Sequence, residues 1–167
     1  MTETMEVYIN LLKSLISVSS LSRNEEEAAQ IIRDFFTDSK VKFDSKVNNT
    51  WVKNRFWKAG LPVILLNSHI DTVKPASGYI RNPFSPDVEN GILYGLGSND
   101  AGGPLVTLLA VFMHFNPLEN LPFNLIYAAS AEEEISGTNG LASILDELGP
   151  IDLAIVGEPT KMQMAIA

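Results

Sequence analysis

The most constraining feature of the sequence is a short stretch, residues 61–66, that is apolar at every position. Its brevity and the β-branched Val63 and Ile64 favour a strand over a helix, and its uniform apolar character predicts burial on both faces of a mainly parallel sheet. His69 and Asp71 follow at alternate positions, so their side chains leave an extended chain on the same face. An imidazole beside a carboxylate is typical of a metal ligand and the group that orients it.

Helix and strand patterns alternate along the chain, which predicts an α/β fold with a mixed, mostly parallel sheet and helices on both faces. Further apolar runs predict buried strands at residues 124–129 and 152–156. Proline and glycine predict an ordered loop over residues 74–90. The remaining expected elements are strands at 41–47, 50–57 and 91–94, and helices at 4–17, 104–115 and 138–148, with one more helix beginning near Ser22.

Local signals define this additional helix and the hairpin after it. Ser22 and Glu25 have the spacing of a capping box, which places Glu25 in the first turn of the helix. The pair Asn48-Asn49 predicts the turn of the following hairpin. Helical periodicity assigns four residues to the inner face of the helix: Ala28, Ile31, Ile32 and Phe35.

Composition narrows the classes of partner. A net charge of −8 argues against a nucleic-acid partner and is compatible with a cation-binding site. The sequence has no cysteine, so any metal would be held by histidine and carboxylates. No stretch resembles a signal peptide or is long enough to span a membrane, so we expect a cytoplasmic protein without a membrane partner.

Polar, mostly acidic residues follow the predicted strands. In open α/β sheets, ligands bind outside the carboxyl ends of the strands, so residues at these positions are expected to converge on one site. The residues are His69 and Asp71, Asp100, the run from Glu132 to Glu134, and Glu158.

A cluster of carboxylates beside one histidine predicts a metal centre. Carboxylates held this close repel one another unless cations separate them. Nitrogen and oxygen ligands without sulfur suit zinc, with cobalt or manganese as substitutes. The number of carboxylates fits two ions better than one, and paired ions about 3.5–4 Å apart can activate a water for hydrolysis.

The motif Gly95-x-Gly97 suggests a different class of site, because glycines between a strand and a helix also form dinucleotide-binding turns. Here Asp100 occupies the third glycine position and would place a negative charge where a pyrophosphate binds. We therefore favour the metal site over a nucleotide site.

Together the motifs resemble the dinuclear-zinc amidohydrolases and peptidases that include acetylornithine deacetylase, succinyl-diaminopimelate desuccinylase, aminoacylase and carboxypeptidase G. The resemblance covers nearly the whole chain, and its last motif is most similar to the deacetylase and desuccinylase branch. After the aspartate, the family more often has methionine and lysine, whereas this chain has Ala101 and Gly102. The aspartate itself is kept, so this difference concerns the substrate branch of the family rather than the chemistry. The motifs are His69-x-Asp71, Gly95-x-Gly97-x-x-Asp100, Glu133-Glu134 and Gly157-Glu158-Pro159-Thr160.

The resemblance implies two zinc ions with a defined ligand set. His69 and Glu158 would bind one ion, Glu134 would bind the other, and Asp100 would bridge them. It also implies a cis peptide bond between Asp100 and Ala101.

Two further residues would be catalytic by the same resemblance. Asp71 would orient the His69 ring, and Glu133 would be the general base that takes a proton from the attacking water and passes it to the leaving amine. Glu132 matches a position that is usually aspartate and receives no role.

The resemblance also implies that residues 1–167 are the N-terminal part of an incomplete, zinc-exopeptidase-like catalytic domain. A dimerisation domain, the rest of the catalytic domain and a final histidine ligand would lie downstream, and the complete protein would be a homodimer. The chain's other histidine, His114, is expected to lie on a helix, about 15 Å from the site.

We expect metal-dependent hydrolysis of a small N-acyl amino acid, as in arginine or lysine biosynthesis, with this 167-residue chain alone inactive. One alternative is a dipeptidase or aminopeptidase of the same family. Another is a truncated chain that binds metal without turnover.

Overall fold

The computed structural model describes residues 3–160 and contains a five-stranded sheet and a small separate hairpin. The longer helices are α1 (Glu3–Ile16), α2 (Glu26–Asp38) and α3 (Gly103–Phe115), and a short helix, α4, spans Leu145–Leu148. The strands are β1 (Asp44–Lys46), β2 (Asn49–Lys53), β3 (Val63–His69), β4 (Val88–Glu89), β5 (Ile92–Leu93), β6 (Asn124–Ser130) and β7 (Leu153–Val156).

The central sheet has the strand order β1-β2-β6-β3-β7. Strand β3 pairs in parallel with β6 and β7, whereas β1 and β2 form an antiparallel hairpin that pairs antiparallel with β6. His69 lies opposite Ser130 in this register, and Asn67 lies opposite Val156. The carboxyl ends of three parallel strands therefore meet at one edge of the sheet.

Helices cover both faces of the sheet unequally. Helices α1, α2 and α3 pack on one face around Leu66 and Tyr127, in the larger apolar cluster. On the other face, Ile144 and Leu148 pack against Trp51 in a smaller cluster. The expected mixed α/β architecture is confirmed. No helix within residues 3–160 combines the length and apolar character needed to cross a bilayer.

The start of α2 differs from the predicted capping box. The helix begins at Glu26, and Glu25 precedes it without capping it through its side chain. The Ser22 hydroxyl donates instead to Asp71, and the Glu25 side chain is fully buried. The fully buried residues of the helix are Ala28, Ala29, Ile32 and Phe36, and the predicted inner-face residues Ile31 and Phe35 are half-buried and pack against the same core.

Several predicted elements have different bounds in the structure, among them the strand expected at 41–47, which spans only Asp44–Lys46. Strand β2 ends at Lys53 rather than at residue 57, and the hairpin turn lies at residues 47 and 48, where Val47 has a φ of 53°. The predicted helix at 138–148 is only a 3₁₀ turn, Leu141–Ile144, followed by the short α4. The predicted loop at 74–90 includes β4, which pairs with β5.

The prediction of a buried strand at 152–156 is wrong for the described residues. Leu153, Ile155 and Val156 of β7 are each 45–55% exposed. No described strand pairs with the outer edge of β7. The predicted strand itself is confirmed, but an apolar run does not indicate whether another element covers the strand.

An exposed apolar edge strand promotes self-association, so we expect Ile155→Lys to shift this chain toward the monomer in sedimentation velocity. Ile80→Lys is the matched control, because Ile80 is 98% exposed on a loop away from β7. The expectation fails if both variants associate as the unmodified chain does.

Candidate metal centre

His69 is the buried centre of the site. It lies at the end of β3, and its side chain is almost completely enclosed. The Nδ1–H donates to the backbone carbonyl of Asp71 over 2.8 Å, and the Asp71 carboxylate lies 3.4 Å from the same nitrogen. A ring fixed through Nδ1 directs Nε2 toward a ligand. The nearest carboxylate to Nε2 is Asp100, at 3.2 Å.

Asp71 does more than orient the His69 ring. Its carboxylate is completely buried and accepts a hydrogen bond from the Ser22 hydroxyl over 2.7 Å. It also accepts the backbone N–H groups of Glu133 and Glu134 over 3.0 and 3.1 Å. Asp71 therefore connects the histidine to the acidic turn that follows β6.

The acidic turn comprises residues 131–134, and all four of its backbone N–H groups donate hydrogen bonds to buried side-chain oxygens. The N–H of Ala131 donates to Asn49 Oδ1, and the N–H of Glu132 donates to Glu25 Oε1. Asp71 accepts the next two. A turn whose backbone donors all have buried partners has one favoured geometry, which fixes where its side chains point.

Glu132 is a structural member of this turn. Its backbone is left-handed, with a φ of 53°, and its side chain is buried. The carboxyl group accepts the backbone N–H of Asn139 over 3.2 Å and the Asn139 side-chain amide over 2.9 Å. Glu132 therefore anchors the turn to the following loop and does not face the site.

Asp100 reaches the site from the glycine-rich segment that leads into α3, where the sequence predicts it. It lies in a kinked turn, Ser98–Gly102, directly before α3, and its own backbone angles, φ −121° and ψ 97°, are not helical. The peptide bond between Asp100 and Ala101 is cis, as predicted. Gly97 has a φ of 74°, and a Cβ there would lie 2.7 Å from the Thr72 methyl group. The glycine motif thus shapes a turn that packs against the segment after β3.

Glu158 approaches from the end of β7. The Gly157 N–H donates to the Asn67 carbonyl, and the Ser68 hydroxyl donates to the Gly157 carbonyl. A Cβ at Gly157 would lie 2.9 Å from carbon atoms of both Leu108 and Pro104, so only glycine fits there. These contacts seat Glu158 with an oxygen 3.8 Å from His69 Nε2.

The site brings together one imidazole and four carboxylates. Asp100 and Glu133 have side chains 56 and 54% exposed, so they face an open surface, whereas His69 forms the buried floor. In each of two overlapping groups, one ligand atom per residue lies within 4.8 Å of the others. The groups are His69, Asp100 and Glu134, and His69, Glu133 and Glu158. Nitrogen and oxygen donors at this spacing fit a zinc-type centre.

The buried pair at the floor is strongly coupled. Burial lowers the pKa of His69, but the hydrogen bond and charge of Asp71 and the charge of Glu158 outweigh it and raise the pKa to about 9. Burial acts to raise the pKa of Asp71, yet hydrogen bonds from His69, Ser22 and two backbone N–H groups hold it below its usual value. In the absence of metal, the pair is an imidazolium and a carboxylate at neutral pH.

The surface carboxylates show the opposite effect. Burial raises the pKa of Glu134 and of Glu158, the charge of His69 opposes this, and the neighbouring carboxylates reinforce it. Negative charge is therefore more crowded here than one imidazolium can neutralise. A divalent cation would relieve that repulsion.

All six residues predicted for the site lie together: His69, Asp71, Asp100, Glu133, Glu134 and Glu158. His114 is in the last turn of α3, as expected of a helix residue. Sequence reasoning missed the supporting roles of Glu25, Asn49 and Asn139. The only sequence signal for Glu25 was its place in an acidic run, which is equally typical of an exposed helix start.

Comparison with known proteins identifies relatives along almost the whole chain. A succinyl-diaminopimelate desuccinylase of Nitrosococcus oceani is 28% identical over 171 residues, which cover 95% of this chain and 44% of that protein. One from Rickettsia typhi is 33% identical over 172 residues, with 92% of this chain and 44% of that protein covered. The chain thus spans less than half the length of these curated relatives.

Solved structures share the fold. An M20 family metallo-carboxypeptidase from Sulfolobus solfataricus superposes with a TM-score of 0.73 at 24% identity, over 94% of this chain and 37% of that one. A dinuclear metal binding peptidase of the M20 family from Bacillus subtilis gives 0.66 at 18% identity, over 92% and 42%. The sequence model of peptidase family M20/M25/M40 matches residues 65–167, more than half of the chain, and the protein belongs to that family.

Proposed function

We propose that this chain is the N-terminal part of the catalytic domain of a metal-dependent amidohydrolase that cleaves the amide bond of an N-acyl amino acid. The observation that carries the proposal is the convergence of His69 with acidic residues from separate segments of the chain, at donor spacings of 4.8 Å or less. The desuccinylase names of curated relatives support an acylated amino acid as substrate. Those relatives are more than twice as long as this chain, which supports our assignment of the activity to a longer protein.

The donor set fits two divalent ions, for which we propose zinc, with cobalt or manganese as substitutes. We assign His69 and Glu158 to one ion, Glu134 to the other, and Asp100 to a bridging position. Glu158 lies in one of the two groups of possible ligands, and Asp100 and Glu134 lie together in the other, while His69 belongs to both; the separation of Glu158 from Glu134 supports this division. Bound ions would polarise the amide carbonyl and make an activated water available at neutral pH.

Glu133 is the proposed general base. Its carboxylate is exposed toward the open side of the site, 3.8 Å from His69 Nε2, while its backbone N–H is held by Asp71. The side chain can therefore move while its backbone stays fixed. It would take a proton from the attacking water and deliver it to the amine that leaves.

Asp71 supports both parts of the site at once. Through its carbonyl and carboxylate it fixes the His69 ring, and through two backbone N–H groups it positions Glu133 and Glu134. The ligand and the base consequently keep their separation, which a proton transfer in the transition state requires.

The substrate class can be tested with three amides and a longer form of the protein that extends past Ala167. Acetylornithine, succinyl-diaminopimelate and an unblocked dipeptide present the same bond with different acyl groups. We expect zinc-dependent release of the amine from an acylated substrate. Hydrolysis of the dipeptide alone would instead assign the protein to the peptidases of the family, and no hydrolysis would refute the proposal.

We predict that Glu133→Gln and Glu134→Gln separate catalysis from binding. In the longer form, Glu133→Gln should lower turnover by roughly 10²–10⁴-fold, because the base is lost, with zinc affinity nearly unchanged. Glu134→Gln should lower affinity for one zinc ion. Turnover assays and calorimetric zinc titrations measure the two effects, and the opposite pattern would reverse the assignment.

For the 167-residue chain itself we predict binding of nearer one zinc ion than two. His69, Asp100 and Glu158 offer one ion three ligands, whereas Asp100 and Glu134 offer the other only two. Hydrolysis should be at least about a thousandfold below that of the longer form. By the family resemblance, the domain that helps hold the oxyanion lies downstream, and losing even one oxyanion donor can cost about 10²–10³-fold. Two tightly bound ions with ordinary turnover would contradict this prediction.

Zinc and a proton should compete for His69. Because the pKa of His69 is raised to about 9, zinc must displace a proton at neutral pH. Apparent zinc affinity should therefore rise by up to about tenfold per pH unit above neutrality and level off near the pKa. Titrations against a chromophoric chelator would measure this, with His69→Gln as the control. A flat profile for the unmodified chain would contradict it.

A further inference from the structure

Glu25 is a completely buried carboxyl group that the proposed chemistry does not use. It lies just before α2 in sequence but contacts the acidic turn, 107 residues away. Its Oε1 accepts the N–H of Glu132 over 3.2 Å and the N–H of Arg23 over 2.7 Å. Its Oε2 accepts the Asn48 side-chain amide over 2.8 Å.

The two backbone donors that meet on Oε1 share an unusual conformation. Arg23 has a φ of 75° and Glu132 a φ of 53°, so both are non-glycine residues in the left-handed region. For non-glycine residues this backbone conformation is unfavourable in free energy, and it persists only where the surrounding structure enforces it. Glu25 Oε1 accepts from both N–H groups and so stabilises both turns. Among the described contacts, neither of these two N–H groups has a second acceptor.

The consequence for the site follows from chain connectivity. Glu132 is the residue directly before Glu133 and Glu134, whose N–H groups are bound to Asp71. Glu25 and Asp71, which come from two different segments of the chain, thus accept hydrogen bonds from successive backbone N–H groups of one turn. If the Glu132 peptide group rotates, the next two side chains change direction.

We infer that Glu25 is a positioning residue: it orients the turn that presents Glu133 and Glu134 to the metal site. This inference rests on the proposed metal site, and it assigns Glu25 no contact with metal or substrate. The role requires a hydrogen-bond acceptor of glutamate length rather than a negative charge as such.

Glu25→Leu is the principal test, because leucine fills similar space but accepts no hydrogen bond. We expect it to weaken zinc binding by about 10–100-fold, the usual effect of losing support behind a metal ligand. Amide hydrogen exchange at residues 132–134 should accelerate. Glu25→Gln keeps an acceptor for both N–H groups, and Asn48 can turn its amide to accept from it, so this variant should restore most of both properties.

Two controls separate positioning from general stability. Glu27→Leu makes the same change at an exposed position of α2 and should leave zinc affinity and amide exchange unaltered. Leu148→Ala removes a buried side chain from the cluster on the opposite sheet face. It should lower the free energy of unfolding without a selective effect on the 132–134 amides or on zinc affinity.

Each outcome decides the inference. The inference is overturned if folded Glu25→Leu has the zinc affinity and the amide exchange rates of the unmodified chain. It is also overturned if Leu148→Ala loses as much zinc affinity as Glu25→Leu does. If Glu25→Leu does not fold, Glu25→Asp takes its place: the shorter acid cannot reach all three donors, so unchanged zinc affinity would overturn the inference. If the unmodified chain binds no zinc, the proposed function fails, and amide exchange alone then decides the role of Glu25.

Discussion

The site depends on one constraint: the acidic turn after β6 has its backbone donors bound by buried side-chain oxygens. Asn49, Glu25 and Asp71 come from three segments that are distant in sequence. Burying carboxyl groups is unfavourable unless several donors compensate, and here each carboxyl group accepts at least three hydrogen bonds. The buried acids therefore hold the backbone of the turn, which leaves the more exposed acids facing the open side of the proposed metal site.

The exposed acids create an electrostatic demand that the chain alone does not meet. Burial and mutual repulsion raise the pKa of Glu134 and Glu158, while the positive charge of an imidazolium at His69 opposes this rise. A divalent ion would reverse this arrangement: the imidazole would lose its proton, and the carboxylates would stay ionised. Membership in the peptidase family M20/M25/M40 agrees with a centre of this kind.

The sequence predicted which residues come together at this edge of the sheet, because the strands that they follow can be recognised from short-range patterns. The apolar strand before His69 and the parallel arrangement place strand ends at one edge, so convergence followed from topology. Glu25 could not be predicted, because an acidic run before a helix has the same pattern whether it caps the helix or binds a turn 107 residues away. The solvent exposure of β7 could not be predicted either, because an apolar strand has the same sequence whether or not another element covers it.

The most direct test of the account is the position of bound zinc, located by anomalous scattering at the zinc edge in crystals of the zinc-loaded chain. We expect a peak about 2.0–2.1 Å from His69 Nε2, with oxygen atoms of Asp100 and Glu158 as neighbouring ligands. A peak at His114, or no peak at His69 when zinc is saturating, would contradict it.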